Sequence, residues 1–108
     1  LKNNYSNIKF IFEDKQIDTK RAFLGTMIGD YTRIGILTML NTGTHIGIGS
    51  NVYGSDFQNK FIKSFSWGKN DKVDFNKFIS TCINMKKRRN QSLSGAEKNI
   101  LEKIYNSI

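Results

Sequence analysis

The sequence predicts a mostly β chain: a parallel β-helix of six-residue repeats, with a β-hairpin insertion before them and two C-terminal α-helices after them. Three observations carry that expectation. From Ile28 the chain reads IGDYTR, IGILTM, LNTGTH, IGIGSN, VYGSDF, so every sixth residue is aliphatic: Ile28, Ile34, Leu40, Ile46 and Val52. A small hydroxyl residue stands two positions before each, at Thr26, Thr32, Thr38, Thr44 and Ser50. Seven of the nine glycines fall within the thirty residues from Gly25 to Gly54, and the chain has no proline.

A period of six is neither helical, which would space apolar residues by three and four, nor that of an uninterrupted amphipathic strand. It fits a short strand plus a corner, three of which complete a coil of eighteen residues. Ile28 is then expected beside Ile46, Ile34 beside Val52, Thr26 beside Thr44, and Thr32 beside Ser50. Residues two apart in a strand point the same way, so the hydroxyl and aliphatic residues share the inner face. That inward placement argues against an ice-binding surface, which needs threonines in outward rows. Gly35, Asn41 and Gly47 suit the tight corners.

The segments on either side read differently. Ile8 to Phe12 and Lys15 to Thr19 have strand composition and are joined across Glu13-Asp14, which predicts a hairpin looping out of the coils. Lys20-Arg21 lead back to the first coil. Phe57 to Trp67 is aromatic and is expected as extended chain laid on the coils. From Asp74 to about Arg89, Phe75, Phe78, Ile79, Cys82 and Ile83 recur at helical spacing. A second helix opens with the capping box Ser94-Gly-Ala-Glu97 and continues through Ile100, Leu101, Ile104, Tyr105 and Ile108. The expected organisation is one unit over 1–108: loop and hairpin 1–21, coils 22–57, extended segment 58–70, helical tail 71–108.

Composition bounds the function. The chain has 108 residues, of which 38% are hydrophobic, a modest supply for a self-sufficient core, so help from neighbouring subunits is expected. It opens at Leu1 rather than Met, which suggests a piece of a longer protein. No apolar run approaches the roughly 20 residues needed to span a bilayer, so no membrane partner is expected. The single cysteine, Cys82, excludes an internal disulfide and a multi-cysteine zinc site and fits a cytoplasmic setting. The net charge of +8 suits an anionic partner. The run Lys86-Lys87-Arg88-Arg89 reads as a solvated helix end. A nucleic-acid binder would interleave aromatics with such charges on an exposed platform, and here the aromatics fall elsewhere.

The repeats resemble those of the left-handed β-helix acyltransferases. Leu1-Lys2-Asn3-Asn4-Tyr5, the hairpin from Ile8 to Ile17, Gly25 to Gly35, Asn41-Thr42-Gly43-Thr44 and Phe61-Ile62-Lys63-Ser64-Phe65-Ser66-Trp67-Gly68 narrow the likeness. Together they resemble the end of the bifunctional N-acetylglucosamine-1-phosphate uridyltransferase-like proteins, in the Bacteroidetes branch of putative sugar-1-phosphate nucleotidyltransferases, also labelled glucose-1-phosphate thymidylyltransferases. The resemblance implies a left-handed coil and a homotrimer with acetyl-CoA held in grooves between subunits. It implies a parent enzyme acting on a sugar-1-phosphate and a nucleoside triphosphate with magnesium. The nucleotide-binding loop and the catalytic histidine of that family have no counterpart here, so no catalytic or metal-binding residue is assigned and the chain alone is expected to be inactive. The positions that match the family's CoA contacts are Ile36, Tyr53 and Gly54. Arg33, Lys20 and Arg21 are added on physical grounds, as cations for the CoA phosphates. Two other roles stay open: a purely structural or regulatory trimerisation module, and a basic nucleic-acid-binding domain.

The remaining chemistry-bearing residues have plain readings. His45, the only histidine, lies between inward Thr44 and Ile46 and is expected to face outward, at the surface or against another subunit. Asp30 and Asp56 read as solvated turn residues, Cys82 as helix core, and Trp67 as packed on the coils.

Overall fold

The computed structural model describes residues 4–108; Leu1, Lys2 and Asn3, which contribute to the resemblance, lie outside the described residues. The chain begins with a hairpin, β1 (Lys9–Phe12) and β2 (Lys15–Asp18), paired antiparallel across Glu13-Asp14. Two-residue strands follow: β3 (Met27–Ile28), β4 (Arg33–Ile34), β5 (His45–Ile46), β6 (Asn51–Val52), β7 (Phe61–Ile62), β8 (Ser66–Trp67) and β9 (Asp71–Lys72). Two helices complete the chain, α1 (Phe75–Lys87) and α2 (Gly95–Asn106).

The six-residue phase sets which residues meet. Ile28 pairs with Ile46 and Ile34 with Val52, each eighteen residues on, in parallel ladders. The ladders run β3-β5-β7 and β4-β6-β8-β9. Hydroxyl groups hold the layers apart at a fixed spacing: Thr32 Oγ1 donates to the Gly47 carbonyl at 2.6 Å and accepts from Ser50 N at 3.1 Å.

The fold class itself is corrected. Strand accounts for 23% and helix for 24%, the sheets are mixed, and among the described residues no sheet is closed or curled. The chain is thus not mostly β and does not form the left-handed parallel β-helix that the repeats led us to expect. The period fixes a pairing offset, but closure needs three complete sides. Here the third side is a single bridge, Met39 to Phe57, and one ladder ends on the antiparallel β9. The 58–70 segment also differs from expectation. Instead of lying across the coils, it supplies β7 and β8, the third layer of each ladder.

Two cores result. Ile46, Val52 and Ile62 fill the space between the ladders, with Leu40 against them. The second joins the ladders to the helices: Phe65, Val73, Phe78, Ile79, Cys82 and Leu101. The helices form where the stripes predict. Asp74 caps α1 by accepting from Lys77 N at 2.9 Å, and Ser94 caps α2 by accepting from Glu97 N at 3.1 Å. Glu97 turns away from its own cap to meet Tyr31 and Lys86, with the Tyr31 hydroxyl donating to Glu97 Oε1 and Lys86 Nζ 3.4 Å from Glu97 Oε2. Burial, reinforced by the Glu97 carboxylate, pushes the Tyr31 hydroxyl above its usual range, while the Tyr31 hydrogen bond chiefly lowers Glu97.

The hairpin is anchored at its base. Ile8 is fully buried and packs on Gly43, whose backbone has φ +69° and whose missing Cβ leaves room for the Ile8 side chain. Asp18 accepts from Lys20 N at 2.9 Å and from Lys9 Nζ at 3.0 Å. Those two bonds, the backbone one first, hold its carboxyl at about 2. A depressed carboxyl stabilises the fold above its unfolded value of about 3.9 and loses that contribution as pH falls through the folded value. Between about pH 4 and pH 2 the protection of the β1–β2 amides, taken relative to the intrinsic exchange rate at each pH, should therefore begin to fall. Asp18→Asn should remove most of that acid dependence. Unchanged protection in wild type over this window would show that Asp18 does not tether the hairpin.

Candidate functional site

Two concavities flank the ladders. The smaller, about 450 Å³, is a cleft between the β4-β6-β8 sheet and the N-terminal half of α1. Arg33, Asn51 and Trp67 stand side by side across three neighbouring strands. They alternate with inward Ile34 and Val52, so they share the outer face. Arg33 Nε donates to Asn51 Oδ1 at 3.2 Å, which ties the guanidinium to the central strand of the three. Lys77 and Thr81 of α1 form the facing wall, and Tyr31 and Phe78 close the inner end.

Charge decides what such a cleft attracts. Its lining contains the cations Arg33, Lys72 and Lys77 and the carboxylates Asp71 and Asp74. Asp74 is committed to capping α1. Lys72 reaches the last turn of α2, donating to the Tyr105 carbonyl at 3.1 Å over that residue's ring. The ion pairs among the described residues join Lys9 and Lys20 to Asp18, Lys69 to Asp56, and Lys86 to Glu97, leaving Arg33 and Lys77 outside any ion pair. Two cations and an indole lining one cleft match a phosphate joined to a flat or apolar group.

The larger concavity, about 980 Å³, lies on the opposite ladder between the hairpin tip and the end of α2. Its walls are mostly apolar (Met27, Phe61, Ile104, Ile108), and its rim carries Glu13 and Asp14 against the single cation Lys63. That rim disfavours phosphate. His45 lies at its floor, and here the sequence expectation is corrected. The ring does point away from Ile46, but it is half-buried, stacked by Phe10 at 5.1 Å and Phe12 at 5.6 Å and tilted against Phe61 at 5.4 Å. Its Nδ1 is buried with no hydrogen-bond partner among the described residues. The hairpin folds over β5, a long-range event that the local repeat does not encode.

The expected contact residues divide between the two sides. Arg33 lines the cleft. Tyr53, two residues beyond Asn51 on the same face, stands edge-on to Trp67 with ring centroids 6.4 Å apart. Gly68, at φ +62°, lies beneath the Tyr53 ring, where a Cβ would come within 2.9 Å of the hydroxyl oxygen. Gly54 follows at φ +139°, and Ile36, 95% exposed, sits at the turn after Gly35, which touches Tyr53. Lys20 and Arg21 belong elsewhere: they form the base of the hairpin, Lys20 facing Asp18 at 3.9 Å and the Arg21 carbonyl accepting from Ile8 N. Asn51 and Lys77 were missed. Period-two alternation from Tyr53 could have found Asn51, whereas Lys77 enters only through the docking of α1.

Of the remaining residues, Asp30 and Asp56 are exposed, and Cys82 is buried, which pushes its thiol up to about 11. Trp67 is 45% exposed and walls the cleft rather than filling a core. Among the described residues no three His, Cys, Asp or Glu side chains converge to hold a metal ion, and no helix is long and apolar enough to cross a membrane. No protein family matches the chain, and neither does any curated protein or solved structure.

Proposed function

We propose that this chain is the C-terminal module of a trimeric sugar-1-phosphate nucleotidyltransferase with an acyltransferase-like part. Its own contribution is to hold acetyl-CoA in the Arg33–Trp67 cleft. The observation that carries the reading is the row of Arg33, Asn51 and Trp67 on one sheet face, with Arg33 held by Asn51 and Lys77 on the opposite wall of the cleft. Arg33 and Lys77 meet the phosphates, and Trp67 and Tyr53 cover the flat or apolar part of the ligand. On this reading no catalytic base is assigned to the module, and the chemistry, including any magnesium, falls to other parts of the parent.

Trp67 is the only tryptophan, so its fluorescence reports directly on the cleft. Titration with acetyl-CoA should change the emission saturably. Arg33→Ala should weaken binding at least about tenfold, the loss of one charged hydrogen bond. Lys20→Ala, at the hairpin, should leave it unchanged. If no saturable signal appears, or if Arg33→Ala binds as wild type does, the module is structural only, the second reading.

A further inference from the structure

The larger concavity plays no part in the Arg33–Trp67 cleft, and its lining suits a ligand of the opposite charge. Glu13 and Asp14 stand exposed at the hairpin tip, on its rim. Neither forms an ion pair among the described residues, although Lys15 follows directly in sequence and Lys63 also lines the space. In a chain of net charge +8, two unpaired carboxylates against one cation reverse the local sign, and that attracts a cation. The floor adds a polar group. Neither ring nitrogen of His45 has a hydrogen-bond partner among the described residues, and only Nδ1 is buried. Nε2 is therefore the nitrogen that His45 can offer to a ligand in the cavity it lines. A buried N–H without an acceptor is tolerated less well than a buried lone pair without a donor, so the neutral ring carries its proton on Nε2.

We propose that this concavity is a second ligand site, which takes a small organic cation: an amine on an apolar body. The ammonium sits at Glu13 and Asp14, and the body lies against Met27 and Ile108. A hydroxyl or ether oxygen on that body accepts from His45 Nε2. The walls are apolar and still open to a ligand, with Phe12 44%, Met27 53% and Ile108 46% exposed. Phe12 precedes the two carboxylates and is stacked on His45, so a cation held at the rim also meets an aromatic ring. The volume, about 980 Å³, lies within the range of small-ligand sites, about 300–1,000 Å³. The proposal is independent of the cleft, which lies on the other ladder.

His45 is the only histidine, so its ring proton resonances report on this cavity as Trp67 reports on the cleft. The probe is hexylamine, titrated into the whole chain at about pH 8, where a primary amine carries its charge. It should shift the His45 resonances saturably and leave Trp67 emission unchanged. Hexanoate, of the same length and opposite charge, should bind at least about threefold more weakly, the loss of two exposed charge pairs. That comparison needs no variant. The double variant Glu13→Asn, Asp14→Asn should weaken hexylamine by a similar factor. Both residues are exposed, and Glu13 has φ +53°, which asparagine tolerates well, so the hairpin should form. Unliganded His45 resonances at their wild-type positions confirm that it does. The absence of a saturable shift, or hexylamine binding equally to wild type and the folded variant, would overturn the proposal. So would hexanoate binding as tightly as hexylamine, which would make the concavity an apolar surface without preference for a cation.

Discussion

Replacing Gly47 with alanine is expected to cost about 3 kcal/mol, the upper part of the range for overpacking, and to disrupt the β3-β5-β7 ladder. Gly47 lies between two other layers with no room for a methyl group. A Cβ there would meet the Ser64 backbone, at 2.7 Å from its Cα and 2.5 Å from its amide nitrogen. Ser64 cannot retreat cheaply, because its Oγ accepts from Ile48 N at 2.9 Å and the adjacent Phe65 amide donates to the Ile48 carbonyl at 2.8 Å. On the other side, the Gly47 carbonyl accepts from Thr32. Gly25 is the internal control: a Cβ built there meets nothing within 4 Å. Gly25→Ala should therefore be neutral or slightly stabilising, through the unfolded chain. Urea unfolding of both variants against wild type decides the matter. Equal midpoints for the two would show that the layers are not held at glycine spacing.

Phe65→Ala should be the most damaging single truncation, about 3–5 kcal/mol by the large-to-small rule. The ring is fully buried where the ladders meet the helices, edge-on to Phe78 and Tyr105 with centroid distances of 5.1 Å to each. Tyr105 is held in turn by its hydroxyl, which donates to the Val73 carbonyl at 2.7 Å. Removing the ring leaves a cavity that α1 and α2 can fill only by giving up that bond. Phe65 also sits at φ +60°, a conformation that costs a bulky residue on the order of 1 kcal/mol. Packing outweighs that strain. We expect thermal unfolding of Phe65→Ala at a much lower temperature, with helical ellipticity lost first. A midpoint within a few degrees of wild type would mean that the helices are held mainly by something else.

How far the sequence reaches depends on the range of the interaction. The pairing of Ile28 with Ile46 and of Ile34 with Val52 was legible because a strict eighteen-residue offset needs no tertiary information. The next layer was not legible. Ile46 meets Ile62, and Asn51 meets Trp67, at sixteen residues; the lost phase made that segment read as loose extended chain. The helices were legible from their apolar stripes and from Ser94, whose side chain does cap α2. The other half of the capping box was not, because a better partner, the Tyr31 hydroxyl, reaches Glu97 from sixty-six residues away. Closure was misread for a related reason: a repeat specifies what lies beside what, whereas closing a coil depends on every side being built. At the cleft, Tyr53 had been singled out through the resemblance and Arg33 as a cation for phosphate, and period-two alternation puts both on the outer face. Lys77 was not, since only the packing of Phe78 against Phe65 brings that turn of α1 over the sheet.

The claim that matters most for function is where a phosphorylated ligand sits. Amide hydrogen exchange of the whole chain, with and without saturating acetyl-CoA, tests it most directly. Binding in the cleft predicts slower exchange at residues 31–33, 51–53 and 67–78, with the hairpin and residues 104–108 unchanged. Protection instead at residues 12–14, 45–48 and 104–108 would place the ligand in the larger concavity and contradict the role given to Arg33.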